Sequence, residues 1–163
     1  MAETLSVESM LPVQFEPKRK NRWVLAIEGI DAYIMKSSAR PKMTTTEKEI
    51  PFINSRRYVA GVTKFETMDV TLHDPIAPSG AQQAMEWIRT VFEAVSGRAG
   101  YADFYKRDIQ LKMLDPIGTV CELWDIKGAF PTSVEFGELG YDNDGDPVEA
   151  KFTLRYDLAV LQF

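Results

Sequence analysis

Residues 125–134, DIKGAFPTSV, end one β-strand and lead to another, and they set the fold class of the chain. Thr119–Lys127 alternates polar and apolar side chains before this stretch, which predicts a strand with one buried face. The Phe130-Pro131 pair predicts a break, and Val134–Leu139 is predicted to be a short strand after it. Val148–Phe163 alternates again and predicts a long final strand. The last third of the chain is therefore expected to be β-structure, and it offers no catalytic constellation.

An acidic turn, residues 142–147 (DNDGDP), separates the last two predicted strands. Its carboxylates stand at alternate positions, as they do in calcium loops. An EF-hand loop has glycine at its sixth position and glutamate at its twelfth, whereas Pro147 and Thr153 occupy those positions here. The run is therefore predicted to be a hairpin turn in which Asn143 and Gly145 supply the unusual backbone angles, and no metal or other cofactor is expected.

Shorter strands are predicted upstream. The sequence favours a hairpin of Trp23–Glu28 and Ala32–Ser37, with the turn at Gly29. Two further strands are expected at Tyr58–Val62 and Phe65–His73, and Asp108–Leu114 is expected to pair with the strand that follows it. These elements make the chain mainly β.

Arg40–Arg57 differs from its neighbours because it contains Pro41 and Pro51 and alternating charges. It is predicted to be a long excursion with some strand character at Thr46–Ile50. Long excursions in compact domains are usually functional or disordered. The apolar residues Ile50, Phe52 and Ile53 predict that this one is buried against a partner subunit.

One amphipathic helix is predicted at Gly80–Ser96, with Ser79 as the N-cap, Gln82 completing a capping box and Gly97 ending the helix. The predicted apolar face, with Trp87 at its edge, consists of Ala84, Ile88, Val91, Phe92 and Val95. A single helix in a β-rich chain commonly lies across a sheet or caps a barrel end. The opposite face is therefore expected to point outward; it consists of Gln83, Glu86, Arg89, Thr90 and Glu93.

Composition fits one globular domain of 163 residues, here divided into an arm (1–20) and a β-domain (21–163). No apolar run reaches the length of a membrane span, and residues 1–13 do not have the pattern of a signal peptide. A formal net charge of −5 argues against a protein that grips nucleic acid, although an acidic wall lets a polyanion pass. The basic run Lys18, Arg19 and Lys20 is interpreted as a solvated stretch or as a contact with an acidic neighbour. A localisation signal or a nucleic-acid patch is the third alternative, which the acidic remainder of the chain disfavours.

Enzyme constellations are missing from the sequence. No serine lies in a Gly-x-Ser-x-Gly motif, and no phosphate loop or dinucleotide fingerprint occurs. His73, the one histidine, is interpreted as a strand residue on a polar face, and Cys121, the one cysteine, as a small packed side chain. The sequence therefore indicates architecture and partners rather than a reaction.

In this order, the elements resemble the tail tube proteins of contractile-tailed bacteriophages, in particular the T4-like type. The strongest stretch is Asp125–Val134, where Ile-Lys-Gly, an aromatic-Pro-Thr run and a following valine stand together. The middle of the chain, Ile50–Gly61, and the final segment Thr153–Asp157 fit the same pattern. The resemblance runs from about Asn21 onward and does not include the arm.

The resemblance implies a β-barrel or sandwich subunit with one flanking helix, forming hexameric rings that stack into a hollow tube inside a contractile sheath. It implies a non-enzymatic structural role in the virion, assembly in the host cytoplasm, and passage of genome DNA through the lumen during ejection. The expected partners are other copies of the chain, the sheath, the baseplate and tail terminator proteins, the tape measure protein and, transiently, DNA. No membrane partner is expected.

Residues can be assigned to the surfaces of such a tube. Candidates for contacts between subunits or rings are Ile50, Phe52, Ile53, Arg56, Arg57, Lys18, Arg19 and Lys20. Alternation makes Asp69, Glu122 and Asp157 candidates for the lumen, where the charge of six acidic copies would discourage DNA from adhering. The outward helix face makes Gln83, Glu86, Arg89 and Glu93 candidates for the sheath side.

Other classes of protein stay open at this point. A tube protein of a tailocin, an extracellular injection system or a type VI secretion system would share the fold. A baseplate or tail-end homologue of the tube is a variant of the same idea. A monomeric β-rich binding module is the third alternative, and a ligand pocket with monomeric elution would indicate it.

Overall fold

The computed structural model describes Met10 and residues 15–142 and 144–163, and the mainly β fold with one flanking helix is confirmed. The arm upstream of Met10, residues 11–14 and Asn143 lie outside the described residues. The strands are β1 (Trp23–Ala26), β2 (Met35–Ser38), β3 (Met43–Phe52), β4 (Ser55–Phe65), β5 (Met68–His73), β6 (Phe92–Glu93), β7 (Arg98–Ala99), β8 (Arg107–Leu114), β9 (Val120–Glu135), β10 (Glu149–Arg155) and β11 (Leu158–Leu161). The helices are α1 (Gly80–Val91), α2 (Ala102–Tyr105) and a 3-10 turn at Ala32–Ile34.

The 16-residue strand β9 organises the main sheet. Its first half pairs with β8 and β11, and its second half pairs with β10. The sheet order is β1-β8-β9-β10-β5-β2, with β11 also on β9, and every pairing is antiparallel. The terminal strands β1 and β2 do not pair with each other in the part of the chain that the structure describes, so the sheet of the single subunit is not a closed barrel.

The core lies between the halves of this sheet and under α1. Alternate residues of β5 and β10, among them Val70 and Phe152, are fully buried, as the period-2 pattern requires. Trp87 of α1 is buried, packs edge-on to Phe152 and donates from Nε1 to the Tyr105 carbonyl at 2.8 Å. The Arg107 guanidinium lies 4.9 Å from the centre of the Trp87 ring.

The helix begins as predicted and ends early. Ser79 Oγ accepts from the Gln82 N–H at 3.2 Å, while Gln82 itself donates to Glu86 rather than closing a capping box. Asp74 completes the cap by accepting from Ser79 Oγ and the Ala81 N–H.

Beyond Val91 the chain turns into a small two-stranded hairpin, β6–β7. Phe92 and Val95, predicted on the apolar helix face, are therefore exposed, and Trp87 occupies the centre of that face rather than its edge. Gly97, predicted to end the helix, instead takes φ +70° in the turn between β6 and β7.

Three other predictions from the sequence are wrong. Trp23–Glu28 and Ala32–Ser37 do not form a hairpin, because β1 pairs with β8 and β2 pairs with β5. The Phe130-Pro131 pair does not break a strand, because β9 continues through it and Pro131 lies opposite Leu154. Phe65–His73 is divided between the end of β4 and the whole of β5.

The predicted final strand is interrupted at Tyr156 and Asp157. β10 ends at Arg155, and β11 resumes at Leu158 with the opposite face inward, so that Ala159 is buried while Leu158 is exposed. Gly145 has φ +83°, which confirms its predicted role in the acidic turn, whereas Asn143 is not among the described residues. None of the helices described is long and apolar enough to cross a membrane.

Candidate assembly surface

Arg40–Arg57, predicted to be an irregular excursion, belongs instead to a long β-hairpin, which we name the β3–β4 hairpin (Met43–Phe65). Every side chain from Met43 to Lys64 is exposed, although the hairpin carries many apolar residues. Phe52 is 64% exposed and Ile53 is 86% exposed. Ile53 sits at the tip with φ +52°, an uncommon value for a β-branched residue.

The two faces of the hairpin differ in character. Ile50 lies opposite Arg57, and Phe52 lies opposite Ser55, so Ile50, Phe52 and Arg57 share one face. On the other face Glu49 forms an ion pair of 2.7 Å with Arg56. Lys48 and Val59, which lie opposite each other, belong to the same face as Ile50. That face therefore carries three apolar side chains and two cations, whereas the other face carries Glu47, Glu49 and Arg56.

A bulge kinks the hairpin between its tip and its root. The register shifts between Thr45 and Glu47, and Thr46 Oγ1 binds both the N–H and the carbonyl of Val62. A Cβ at Gly61 would lie 2.5 Å from Thr46 Oγ1 and 2.9 Å from the Thr46 carbonyl oxygen. Glycine is therefore required here because the opposite backbone approaches too closely for a side chain.

The root of the hairpin is fixed to the main sheet. The Glu66 N–H donates to the Lys42 carbonyl at 2.9 Å, and the Lys42 N–H donates to Tyr156 Oη at 3.2 Å. Burial raises the pKa of Tyr156, which keeps its hydroxyl neutral. The rings of Phe65 and Tyr156 lie 5.8 Å apart. An isolated two-stranded hairpin is marginal in water, so the portion beyond this root gains stability only where a further surface covers it.

Glu122 connects the hairpin root to the arm. Its side chain is only 4% exposed, and its carboxylate accepts from Lys18 of the arm, from Arg40 before the hairpin and from Trp124 Nε1 at 2.6 Å. Burial alone would raise the pKa of Glu122, but these donors outweigh burial and lower the pKa to about 2. The predicted lumen residue Glu122 therefore forms a buried contact within this subunit, between the arm and the segment before the hairpin, and is not on an open surface of the subunit.

The other two lumen candidates lie on the surface. Asp69 accepts from Thr153 Oγ1 at 2.8 Å and faces Lys151 at 3.4 Å; these two donors lower its pKa. Asp157 lies in the interruption between β10 and β11 and pairs with Lys106 at 2.6 Å. The two carboxylates belong to different segments and share no contact, so the structure does not bring the predicted lumen set together.

The sheath candidates separate into two groups. Gln83 is half-buried and holds the loop before the 3-10 turn, donating to Asp31 Oδ2 at 2.8 Å and accepting from the Asp31 N–H. Glu86 and Arg89 are exposed on α1, as predicted, and Glu93 is exposed on β6 beyond the helix end. Arg19 and Lys20 of the arm are also exposed.

The contacts of Glu122 with Lys18 and Arg40 were not predicted from the sequence, although the alternation of side chains along β9 indicates that Glu122 faces inward. Glu122, Trp124 and Ile126 alternate on one face of β9, and Ile126 is fully buried. That alternation predicts that the carboxylate lies on the inward face of the strand, on the same side as the core residue Ile126. His73 and Cys121 are half-buried strand residues, as interpreted from the sequence.

No family model matches the chain. A curated relative, a tail tube protein of Serratia phage KSP90, is 32% identical over 117 residues, which are 69% of this chain. The matched part spans about 60% of that relative's length. The predicted resemblance to tail tube proteins is confirmed at the level of sequence by this match.

Solved structures show the same fold. A chain of the tube-terminating cap of the anti-feeding prophage superposes with a TM-score of 0.75 at 16% identity, covering 97% of this chain and 99% of its own. A chain of the sheath–tube complex of the extracellular contractile injection system PVC superposes with a TM-score of 0.67 at 16% identity, covering 98% and 99%. At this identity the superpositions establish that the chain has the fold found in contractile injection assemblies.

Proposed function

We propose that the protein is a structural subunit of a contractile-tail tube, which assembles with further copies into stacked rings and has no enzymatic role. The observation that carries the proposal is the β3–β4 hairpin, which has an apolar face and no buried side chain between Met43 and Lys64. A monomer gains nothing from such an element, whereas an assembly buries it. The relative among phage tail tube proteins and the shared fold support the same assignment.

We further propose that six copies form a ring in which the open sheets of the subunits join around a lumen. Each subunit leaves sheet edges at β1 and β2 in the described part of the chain, and ring closure pairs such edges. In a phage the tube lies inside the sheath in the virion, starts on the baseplate, ends at the terminator, holds the tape measure protein and conducts DNA. Six acidic copies give such a ring a net charge that keeps DNA mobile.

The test is electron microscopy of the purified protein at high concentration, with size-exclusion chromatography alongside. We expect rings or hollow rods, either from the protein alone or after a pre-formed tube is added as a seed. The triple substitution Ile50→Thr, Phe52→Thr and Val59→Thr removes the apolar face of the hairpin and should abolish them. The control, Ile76→Thr with Ile117→Thr, changes apolar residues outside the hairpin that are even more exposed, and it should assemble normally. A seeded wild-type protein that stays monomeric would overturn the proposal and favour a monomeric binding module.

A second candidate is an end cap of the tube, or a tube subunit of a non-viral injection device. The superposition on the tube-terminating cap structure covers nearly the whole of both chains. The same microscopy distinguishes an end cap from a tube subunit. An end cap forms single rings or blocks the end of a seed, whereas a tube subunit extends the seed. The contents of the lumen in native particles, DNA or protein, separate a phage tail from an injection device.

A further inference from the structure

The two ends of the main sheet carry complementary features. β5 runs alongside β10 from Met68 opposite Leu154 to His73 opposite Glu149. The hairpin root lies beyond Met68, and the loop of residues 136–148 lies beyond Glu149. Five residue steps at about 3.3 Å put roughly 17 Å between these two points. The hairpin and the loop therefore leave the subunit from opposite ends of the same pair of strands.

The loop at the far end forms an open groove of about 550 Å³. Its lining, which contains no hairpin residue, consists of Glu138, Leu139, Gly140, Tyr141, Asp146, Pro147 and Val148. Leu139 is 85% exposed and Tyr141 is fully exposed, so the groove displays apolar side chains beside two carboxylates.

The hairpin presents the opposite chemistry. Ile50 and Phe52 share a face with Arg57, and the structure gives Arg57 no carboxylate within ion-pair distance among the described residues. Three apolar side chains with two cations, Lys48 and Arg57, complement a groove that offers two apolar side chains beside two carboxylates.

We propose that the groove receives the apolar face of the β3–β4 hairpin of a second copy, end to end. This inference rests on the proposed tube function and names the partner surface of the hairpin. Because donor and acceptor surfaces lie at opposite ends, the contact is heterologous and leaves both surfaces free at the ends of a pair. Such a contact repeats along an axis and builds a stack rather than a closed dimer.

Charge-swap variants test the contact. Arg57→Glu alone repels the native groove, and Glu138→Lys with Asp146→Lys alone repels the native hairpin. Each is expected to raise the critical concentration for tube formation at least about tenfold, the change expected for like charges at a rim contact. In an equimolar mixture both contacts are complementary again, so the critical concentration should return to within about threefold of wild type. Arg98→Glu, an exposed charge reversal on β7, is the matched control and should leave assembly unchanged.

Cross-linking reports the same contact directly. Cys121 is first replaced by serine, and Phe52→Cys and Leu139→Cys are then introduced in separate chains. A short bis-maleimide should join the two variants in mixed tubes and should join neither variant to itself. Tubes without this cross-link and without rescue by the mixture would overturn the groove contact and leave the tube function standing. Wild-type protein that forms no tubes even with a seed would overturn the tube function itself.

Discussion

At the scale of single residues, Glu122 is a buried charged side chain whose replacement should lower stability. Glu122→Gln removes the buried carboxylate that Lys18, Arg40 and Trp124 share. Both cations are about half exposed and can be hydrated instead, so the expected loss of unfolding free energy is about 1–3 kcal/mol rather than the larger cost of two buried charges. Urea unfolding measures it. Glu49→Gln, which breaks an exposed pair with Arg56, should cost less than about 1 kcal/mol.

The same carboxylate predicts a pH dependence of stability. Its folded pKa is about 2, and glutamate in an unfolded chain has a pKa of about 4.3. The stabilisation is fully present above pH of about 4.3 and is lost as the pH falls toward the folded pKa. The difference in unfolding free energy between wild type and Glu122→Gln should therefore be constant at neutral pH and should shrink below pH of about 4. A difference that persists unchanged to pH of about 2 contradicts the assignment.

Gly128, within residues 125–134, is constrained both by its backbone angle and by its neighbour. It has φ +65°, and a Cβ would lie 2.3 Å from Asp157 Oδ2 and 3.0 Å from Asp157 Cγ. Gly128→Ala should therefore cost about 1–3 kcal/mol for the backbone and more for displacing Asp157 from Lys106. Gly118 also has a positive φ but open space around it, so Gly118→Ala isolates the backbone part. Equal losses in thermal unfolding would refute the steric part.

At the scale of elements, the β3–β4 hairpin should be dispensable for folding. None of its side chains from Met43 to Lys64 is buried, and the Glu66–Lys42 hydrogen bond already brings the two ends of the hairpin together. Replacing residues 44–64 by a short Gly-Ser turn should leave the midpoint of thermal unfolding within a few degrees of wild type. The shortened chain should fail to assemble. A large loss of stability would mean that the hairpin packs on its own subunit.

The sequence predicts a strand correctly where one face of that strand is buried. The prediction failed for the β3–β4 hairpin, in which neither face is buried. Buried and more exposed residues alternate along β5, β8 and β10, so the sequence of each strand shows a period of two. The hairpin lacks a buried face and therefore lacks that signal, and Pro51 at its outer end argued against a strand. Strand pairing could not be predicted for a different reason. β1 pairs with β8 across more than 80 residues, and no local sequence feature specifies that register.

At the scale of the whole molecule, an end-to-end contact predicts that a one-sided variant stops growth. A subunit with Arg57→Glu cannot insert its hairpin, but its groove still accepts the hairpin of the tube end. It therefore adds at that end and then offers a defective hairpin to the next copy. A few per cent of the variant should shorten tubes grown from wild-type protein, with mean length falling as its fraction rises.

The variant Glu138→Lys with Asp146→Lys should cap the opposite end, because its hairpin is intact and its groove is not. Tubes grown from labelled seeds then extend from one end only, and the growing end differs between the two variants. Lengths and label positions are read from electron micrographs, with Arg98→Glu as the variant that changes neither. Growth blocked at both ends by a single variant would mean that hairpin and groove do not lie on opposite ends of the assembled subunit, since only a polar contact leaves one end of the tube open to further copies.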